Sequence, residues 1–248
     1  MMKIADSAGN EVIFENYNVS FLNHKYMPSE IENTVFWADK SLKPMHFKAM
    51  TRFDSLQVQF KFTNAVFGDI SKFSEKLKAC RIYFSNSFYE GKFFDCILQN
   101  SQIESVSRRF TAVTYNFQSL LYGGEHRVIL ALGDNSVIVG GAKETDAIIE
   151  FESISSSVYD VKSAEIRNMA VTPDEVIAAV YNVKQGEKIV IDGVKKTVTS
   201  NGANNFDRVD LINFPRFRAG ENQLRFRRSA DQGTGTHITA RIIYRERW

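Results

Sequence analysis

The sequence predicts a mainly β protein of two domains, and three observations carry that prediction. Apolar residues recur with a period of two along most of the chain, the pattern of strands with one buried face. One segment alone carries a clear helical period. Near residue 140 glycines cluster and the charge pattern changes. That change marks a boundary between a first domain, residues 1–140, and a β-sandwich over residues 141–248.

The elements follow in order. In "LQVQFKF", Leu56, Val58, Phe60 and Phe62 alternate with Gln57, Gln59 and Lys61, so the apolar set shares one strand face. "DISKFSEKLKAC" sets Ile70, Phe73, Leu77 and Cys80 at three- and four-residue spacing behind Asp69. A helix over Asp69–Cys80 is expected there, with Asp69 as its N-cap. "RIYFSNSFYEGKFFDCIL" reads as an aromatic hairpin over Ile82–Leu98 that turns at Glu90-Gly91, and "RFTAVTYNFQ" puts Val113, Tyr115 and Phe117 on one strand face. "LGDNSVIVGGAKETD", punctuated by Gly133, Gly140 and Gly141, is the boundary, and "AIIEFES" (147–153) opens the second β region.

"TPDEVIAAV" begins with Pro173 and Asp174, good first-turn residues of a short helix, while Val176–Val180 reads equally as a strand. "EKIVIDGVKKTVTS" is two strand-like runs joined by Asp192-Gly193, a pair suited to a type I′ turn. "NFPRFRAGENQLRF" (213–226) turns at Gly220-Glu221-Asn222. Glycine suits the positive φ of such a turn, which is expected to reverse the chain between two sandwich strands. Phe214, Phe217, Leu224 and Phe226 would supply core residues on either side of it. "THITARIIYRERW" is a last long strand, with Ala240, Ile242 and Tyr244 on one face and Arg241, Arg245 and Arg247 on the other.

Composition excludes several classes. With 44% hydrophobic and 24% charged residues in 248 positions, the chain is globular rather than disordered. It has no apolar run of about 18 residues, as a transmembrane helix requires, and "MMKIADSAGNEVIF" has no signal-peptide core. Assembly in the cytoplasm is the simplest reading. Two cysteines, Cys80 and Cys96, are too few for a disulfide framework and read as free core thiols. The net charge is +2, but its distribution is uneven. Residues 141–207 carry seven Lys/Arg against eleven Asp/Glu, and residues 208–248 carry nine Arg against four acids. Arginine alone supplies those last nine positive charges, which favours fixed bidentate contacts over diffuse solubility.

No motif for catalysis or cofactor binding emerges. His24, His46, His126 and His237 are scattered and lack zinc spacing. No GxSxG elbow occurs. "LYGGEHR" and "VGGAKET" match no phosphate loop and read as turn glycines. Glu150 and Glu152 share a strand face about 7 Å apart, a spacing of interest for a glycosidase, yet exposed acids of an edge strand explain them equally well. Arg225 and Arg227 share one face, and Arg241 and Arg245 another. A basic sheet face with exposed aromatics would bind nucleic acid, but the aromatics here alternate inward. Contact with protein, within the domain or on a neighbouring subunit, is the better reading of Arg225, Arg227, Arg241 and Arg245. The expectation is no catalytic, cofactor or metal residues, no enzyme activity, no nucleic acid and no membrane.

The order of these motifs resembles the distal tail protein (Dit) family of long-tailed, non-contractile bacteriophages. The family's C-terminal signature is a hydrophobic-Asp-Gly hairpin, Phe-Pro, a Pro-Gly-Glu-Asn turn and a final strand with an aromatic-Arg ending. Ile191-Asp192-Gly193, Phe214-Pro215, Gly220-Glu221-Asn222 and Tyr244-Arg245 match it, with Ala219 in place of the proline. The first half has the family's order of strand, helix, aromatic hairpin and a strand entering "SLLYGG". The resemblance implies an N-terminal domain that closes into a ring, usually a homo-hexamer, and a galectin-like C-terminal sandwich on its periphery. Such rings join the tail tube protein to the tail-associated tip protein and to receptor-binding or baseplate proteins. They belong to the virion tail tip, assembled in the bacterial host cytoplasm. A carbohydrate-binding module that attaches the particle to the host cell wall is the alternative. It is weakened because Trp37 lies in the first half and Trp248 at the last position, leaving no stacking tryptophan inside the sandwich. A wall-degrading hydrolase is a third class, tested on purified cell walls.

Overall fold

The computed structural model describes residues 2–28, 31–36, 45–51, 54–64, 66–107, 109–154, 161–170, 175–229 and 238–248. The chain divides into two compact units, Met1–Tyr122 and Gly123–Trp248.

The first unit holds β1 (Met2–Asp6), β2 (Val19–Met27), β3 (Ile31–Phe36), β4 (Met45–Thr51), β5 (Asp54–Thr63), α1 (Phe67–Leu77), β6 (Ala79–Phe84), β7 (Phe93–Val106) and the start of β8 (Phe110–Leu130). Its sheet runs β1-β6-β7-β8-β5-β2, all antiparallel, and β3 and β4 form a separate pair. Period-two patterning decided the strands as expected. Leu56, Val58, Phe60 and Phe62 of β5 are fully buried, and Val113, Tyr115 and Phe117 of β8 lie opposite them in register. The helix closes this face by inserting Ile70, Phe73 and Leu77. The Phe73 ring meets Phe14, Tyr17, Phe60, Phe62 and Tyr115 edge-on at centroid distances of 5.1 to 6.2 Å. The Tyr115 hydroxyl is satisfied by Ser74 Oγ at 3.0 Å, and Ser74 in turn donates to the Ile70 carbonyl.

The helix differs from its sequence outline at both ends. Asp69 sits in its first turn, not at the N-cap, and its Oδ2 accepts the Val66 N–H at 3.2 Å. A carboxylate there satisfies an orphan amide and complements the helix dipole just as a cap residue would. The helix stops at Leu77, and Cys80 belongs to β6. The aromatic hairpin is present, with Gly91 at φ 71° in its connection.

The second unit is a two-sheet sandwich. It adds β9 (Gly133–Val139), β10 (Thr145–Ser153), β11 (Val161–Asn168), β12 (Glu175–Val183), β13 (Lys188–Asp192), β14 (Thr197–Ser200), β15 (Ala203–Asn204), β16 (Val209–Asp210), β17 (Arg216–Phe217), β18 (Gly220–Arg228) and β19 (Ile238–Arg247). One sheet runs from the later part of β8 through β19-β10-β13-β14-β15, with β17 also on β10; the other runs β16-β12-β11-β18-β9. Their inner faces enclose one core, where Ile149, Phe151, Ile191 and Ile242 of the first sheet face Ile166, Val180, Leu224 and Phe226 of the second. Phe151 and Phe226 meet across it at 6.4 Å. Glu175–Val183 is strand, as the second reading of that segment expects; Pro173 and Asp174 lie outside the described residues.

Two turns have different physics from the one their composition implies. The Asp192-Gly193 pair is not a two-residue type I′ turn. Asp192 pairs with Thr197, so residues 193–196 form the loop, and the positive φ of 58° falls on Lys196. Asp192 Oδ1 accepts the N–H groups of Val194 and Lys195, both at 2.9 Å. Gly193 is needed for close approach: it donates to the Ala147 carbonyl at 2.9 Å, and a Cβ would lie 2.6 Å from the Pro215 carbonyl.

The Gly220-Glu221-Asn222 turn does carry a positive φ, 96° at Gly220. It does not reverse the chain between neighbouring strands. It is a corner, carrying the chain from β17, paired with β10, to β18 in the opposite sheet. Asn222 locks the corner: its Oδ1 accepts the Arg218 N–H at 3.2 Å, and its Nδ2 donates to the carbonyls of Arg218 and Gly220 at 2.9 and 3.1 Å. The same device recurs at Gly133-Asp134-Asn135, where β8 crosses to β9. There Asn135 accepts from Ala131 N and donates to the carbonyls of Ala131 and Gly133, and Gly133 has φ 95°. In both corners a buried residue, Leu130 or Phe217, stands three positions before the glycine. The shared Gly-Asp/Glu-Asn triplet was visible in the sequence, although no domain-scale repeat is.

Replacing Gly220 with valine is expected to destabilise this unit by about 1–3 kcal/mol, because a β-branched residue resists positive φ. A Cβ at this position meets nothing within 4 Å, so the penalty is one of backbone angle rather than crowding. Equal melting temperatures for the two proteins would contradict it.

The Gly pairs also differ from their turn reading. Gly123 and Gly124 lie inside β8, and Gly140 and Gly141 follow β9. Added Cβ atoms at Gly123 and Gly140 would run into the Glu246 side chain, and one at Gly141 into the Arg247 carbonyl. Three of these glycines therefore clear space for the end of β19.

Candidate protein-contact site

The four singled-out arginines fall on two different surfaces. Arg225 and Arg227 project outward from β18, alternating with the buried Leu224 and Phe226. Arg241 and Arg245 project outward from β19 in the other sheet. The fold joins each pair by strand periodicity but does not gather all four into one patch.

Three of the four have identified acidic neighbours in the same unit. Arg225 forms a two-point contact with Asp134 across the β9–β18 ladder, Nε to Oδ1 at 2.5 Å and a terminal nitrogen to Oδ2 at 3.1 Å. That contact holds the Asp134 carboxyl below its ordinary range, with Arg227 adding to the field. Arg241 donates to Glu150 at 2.9 Å, opposite it in register, and Arg245 donates to Glu125 at 3.0 Å. Arg227 stands opposite Glu165 on β11. Of the paired acids, Glu150 comes from the acidic stretch 141–207, whereas Glu125 and Asp134 precede it. Cross-strand register, which local charge does not reveal, chose those two.

Glu150 also accepts Lys188 Nζ at 2.8 Å. Burial pushes its carboxyl up, but the hydrogen bonds from Lys188 and Arg241 outweigh that and hold it below the usual range. A carboxylate so held is a structural anion, poorly suited to donate a proton as a general acid. Glu152, two residues on, is exposed.

One buried ionic cluster escaped the sequence reading. Glu187, 4% exposed, is bonded by the Arg208 guanidinium, by Ser200 Oγ and by the Lys184 N–H. Arg208 also donates to the Asn182 carbonyl at 2.7 Å. Burial raises the Glu187 carboxyl and these donors more than offset it, leaving it lowered. The cluster ties residues around 208 to the β12–β13 connection and to the end of β14. The side-chain donors to Glu187 are 13 and 21 residues from it in sequence, so no local motif announces them.

His24 and His126 serve packing. His24 stacks on Phe84 at 4.0 Å, with its pKa lowered by burial, and His126 stacks on Tyr244 at 5.2 Å while contacting Glu246 at 3.2 Å. His237 and Trp37 lie outside the described residues. Among the described residues no cluster of three His, Cys, Asp or Glu side chains could hold a metal ion, and no helix is long and apolar enough to cross a membrane. Beside the 213–218 stretch lies an open cleft of about 560 Å³, bordered by Phe214, Arg216, Glu144 and Lys196. Arg216 and Lys196 both engage Asp146 next to it, at 2.8 and 3.0 Å.

Comparison with known proteins places this architecture. Residues 140–248 match the family described as the siphovirus-type tail component, C-terminal domain. No curated protein matches the chain in sequence. The fold resembles SPP1 Dit, described as a paradigm of the hub adsorption apparatus in phages infecting Gram-positive bacteria. The TM-score is 0.72 at 14% identity, over 100% of this chain and 99% of that one. It also resembles a chain of the phage p2 baseplate in its activated conformation, solved with strontium and with calcium. Both matches have a TM-score of 0.56 at 11% identity, over 98% and 99% of this chain and 97% of the other. Residues 140–248 thus carry the sequence pattern of the siphovirus-type tail component, C-terminal domain, and the chain as a whole shares the fold of SPP1 Dit.

Proposed function

We propose that this protein is the hub ring of a phage tail tip. Six copies close into a ring through residues 1–140, and the sandwich of residues 141–248 stands on the periphery. Residues 123–140 of that first domain pack with the second unit. The ring joins the tail tube protein to the tail-associated tip protein and to receptor-binding or baseplate proteins, in virions assembled in the host cytoplasm. The observation that carries this reading is the likeness to SPP1 Dit over the entire length of both chains, rather than over one module.

Light scattering on the purified protein at high concentration, with microscopy of intact virions, tests the ring. The expected mass is six times the 28.3 kDa protomer. A strict monomer at high concentration and in virions would refute the proposal. A monomer in dilute solution alone is compatible with it, because neighbouring tail proteins can drive closure.

Arg225, Arg227, Arg241 and Arg245 are proposed as protein-contact residues. Their exposed pairs contribute about 0–1 kcal/mol each, so any single Arg→Gln change is expected to matter little. The quadruple change is expected to impair domain or ring assembly, read by sedimentation. Electrophoretic mobility of a labelled oligonucleotide at low and moderate salt is the counter-test. Tight wild-type binding with a steep salt dependence, lost in the quadruple variant while assembly persists, would instead establish a nucleic-acid role.

A further inference from the structure

The chain has two cysteines, and the fold sets them face to face. Cys80 on β6 and Cys96 on β7 are direct partners in the antiparallel register, free, 3% and 1% exposed, and turned into the same core. Just beyond this pair, Leu98 N–H donates to the Lys78 carbonyl at 3.1 Å. Alternation along the ladder makes Cys80 and Cys96 a hydrogen-bonded pair as well, with Cα atoms about 5.5 Å apart, within the roughly 4.4–6.8 Å that a disulfide spans. Directly opposed Cβ atoms stand about 4.5–5.5 Å apart, somewhat wider than the roughly 3.5–4.5 Å of a relaxed bridge. Closing the bond therefore draws the strands together slightly, and a bond closed against such resistance is readily reduced.

Both sulfurs face the core, and the outer face of β6 beside Cys80 borders a surface cavity of about 310 Å³ formed with the turn at residues 6–9, Arg81 and Asp95. Cys96 is enclosed, and its thiol donates to the Phe94 carbonyl at 3.6 Å. Burial pushes the Cys96 thiol up, with Cys80 beside it adding to the shift.

We propose that Cys80 and Cys96 are a reversible dithiol pair that a hydroperoxide converts into a cross-strand disulfide between β6 and β7 once the protein leaves a reducing compartment. The Cys80 sulfur attacks one peroxide oxygen, the O–O bond breaks, and one water leaves with Cys80 as its sulfenic acid. The Cys96 sulfur then displaces the hydroxyl, forming the S–S bond and releasing a second water. Two thiols lose two electrons in total, and one hydrogen peroxide is reduced to two waters. The bridge closes the loop of residues 81–95 and restricts the unfolded chain. This inference rests on the strand register and does not depend on the ring reading.

The test uses the full-length protein, treated with hydrogen peroxide, denatured, alkylated and mapped by mass spectrometry. Expected are a linked pair of Cys80 and Cys96 peptides, loss of both alkylation sites, and recovery of both on adding dithiothreitol. The melting temperature of the oxidised protein should rise by about 5 °C. In Cys96→Ser the sulfenic acid should persist on Cys80 and be trapped by dimedone. Because the wild-type cycle needs no substitution, failure of that variant to fold does not affect it. Full alkylation of both thiols after peroxide, over-oxidation of Cys80 with Cys96 left free, or links only between different chains would each overturn the proposal.

Discussion

Phe73→Ala is expected to destabilise the first unit by about 3–5 kcal/mol, the usual range for deleting a fully buried phenylalanine. Phe73 is 0% exposed and is the one helix ring in a cluster drawn from the chain before β2, from β5 and from β8. Its removal leaves a void between α1 and the sheet that rigid strands cannot collapse into, and it strips edge contacts from five aromatic rings. Phe73→Leu keeps most of the apolar area and should lose about 1–2 kcal/mol. Thermal unfolding should show a transition lowered by roughly 10 °C or more for the alanine variant. Similar melting of the alanine and leucine variants would mean that the helix does not depend on this ring.

Gly193→Ala is expected to destabilise the second unit by about 2–4 kcal/mol, through overpacking against backbone. The new methyl would collide with the Ala147 carbonyl and lie 2.6 Å from the Pro215 carbonyl. Neither is the far end of a flexible side chain, so β10 or the 213–215 stretch must move. Either shift strains the Gly193 N to Ala147 O bond at 2.9 Å and the Ala147 N to Pro215 O bond at 3.0 Å. Gly220→Ala is the control, since it meets open space at positive φ and should lose only about 1 kcal/mol. Equal losses at the two positions, by chemical denaturation of the full-length chain, would show that Gly193 is not held by close approach.

The sequence by itself determined the strand faces and the helix, and its C-terminal motifs pointed to the tail-component domain that residues 140–248 match. Alternation along Leu56–Phe62 and Ala240–Tyr244, and the helical spacing of Ile70, Phe73 and Leu77, are local signals. Burial of one face is the strongest force acting on such segments, so these signals survive folding unchanged. The positive φ at Gly220 was legible for the same reason, since the freedom to adopt it belongs to glycine itself. Only the tertiary structure decided that Gly193 exists for the approach of β10 and Pro215, that the Gly220 turn is a corner between sheets matched at Gly133, and that Asp134 and Glu125 neutralise Arg225 and Arg245. It alone also brought Cys80 against Cys96, and Glu187 against Arg208. Each of these is a contact between residues distant in sequence, fixed by which strand lies beside which and in what register. Local patterning chooses which face of a strand is buried, but not which partner the strand takes.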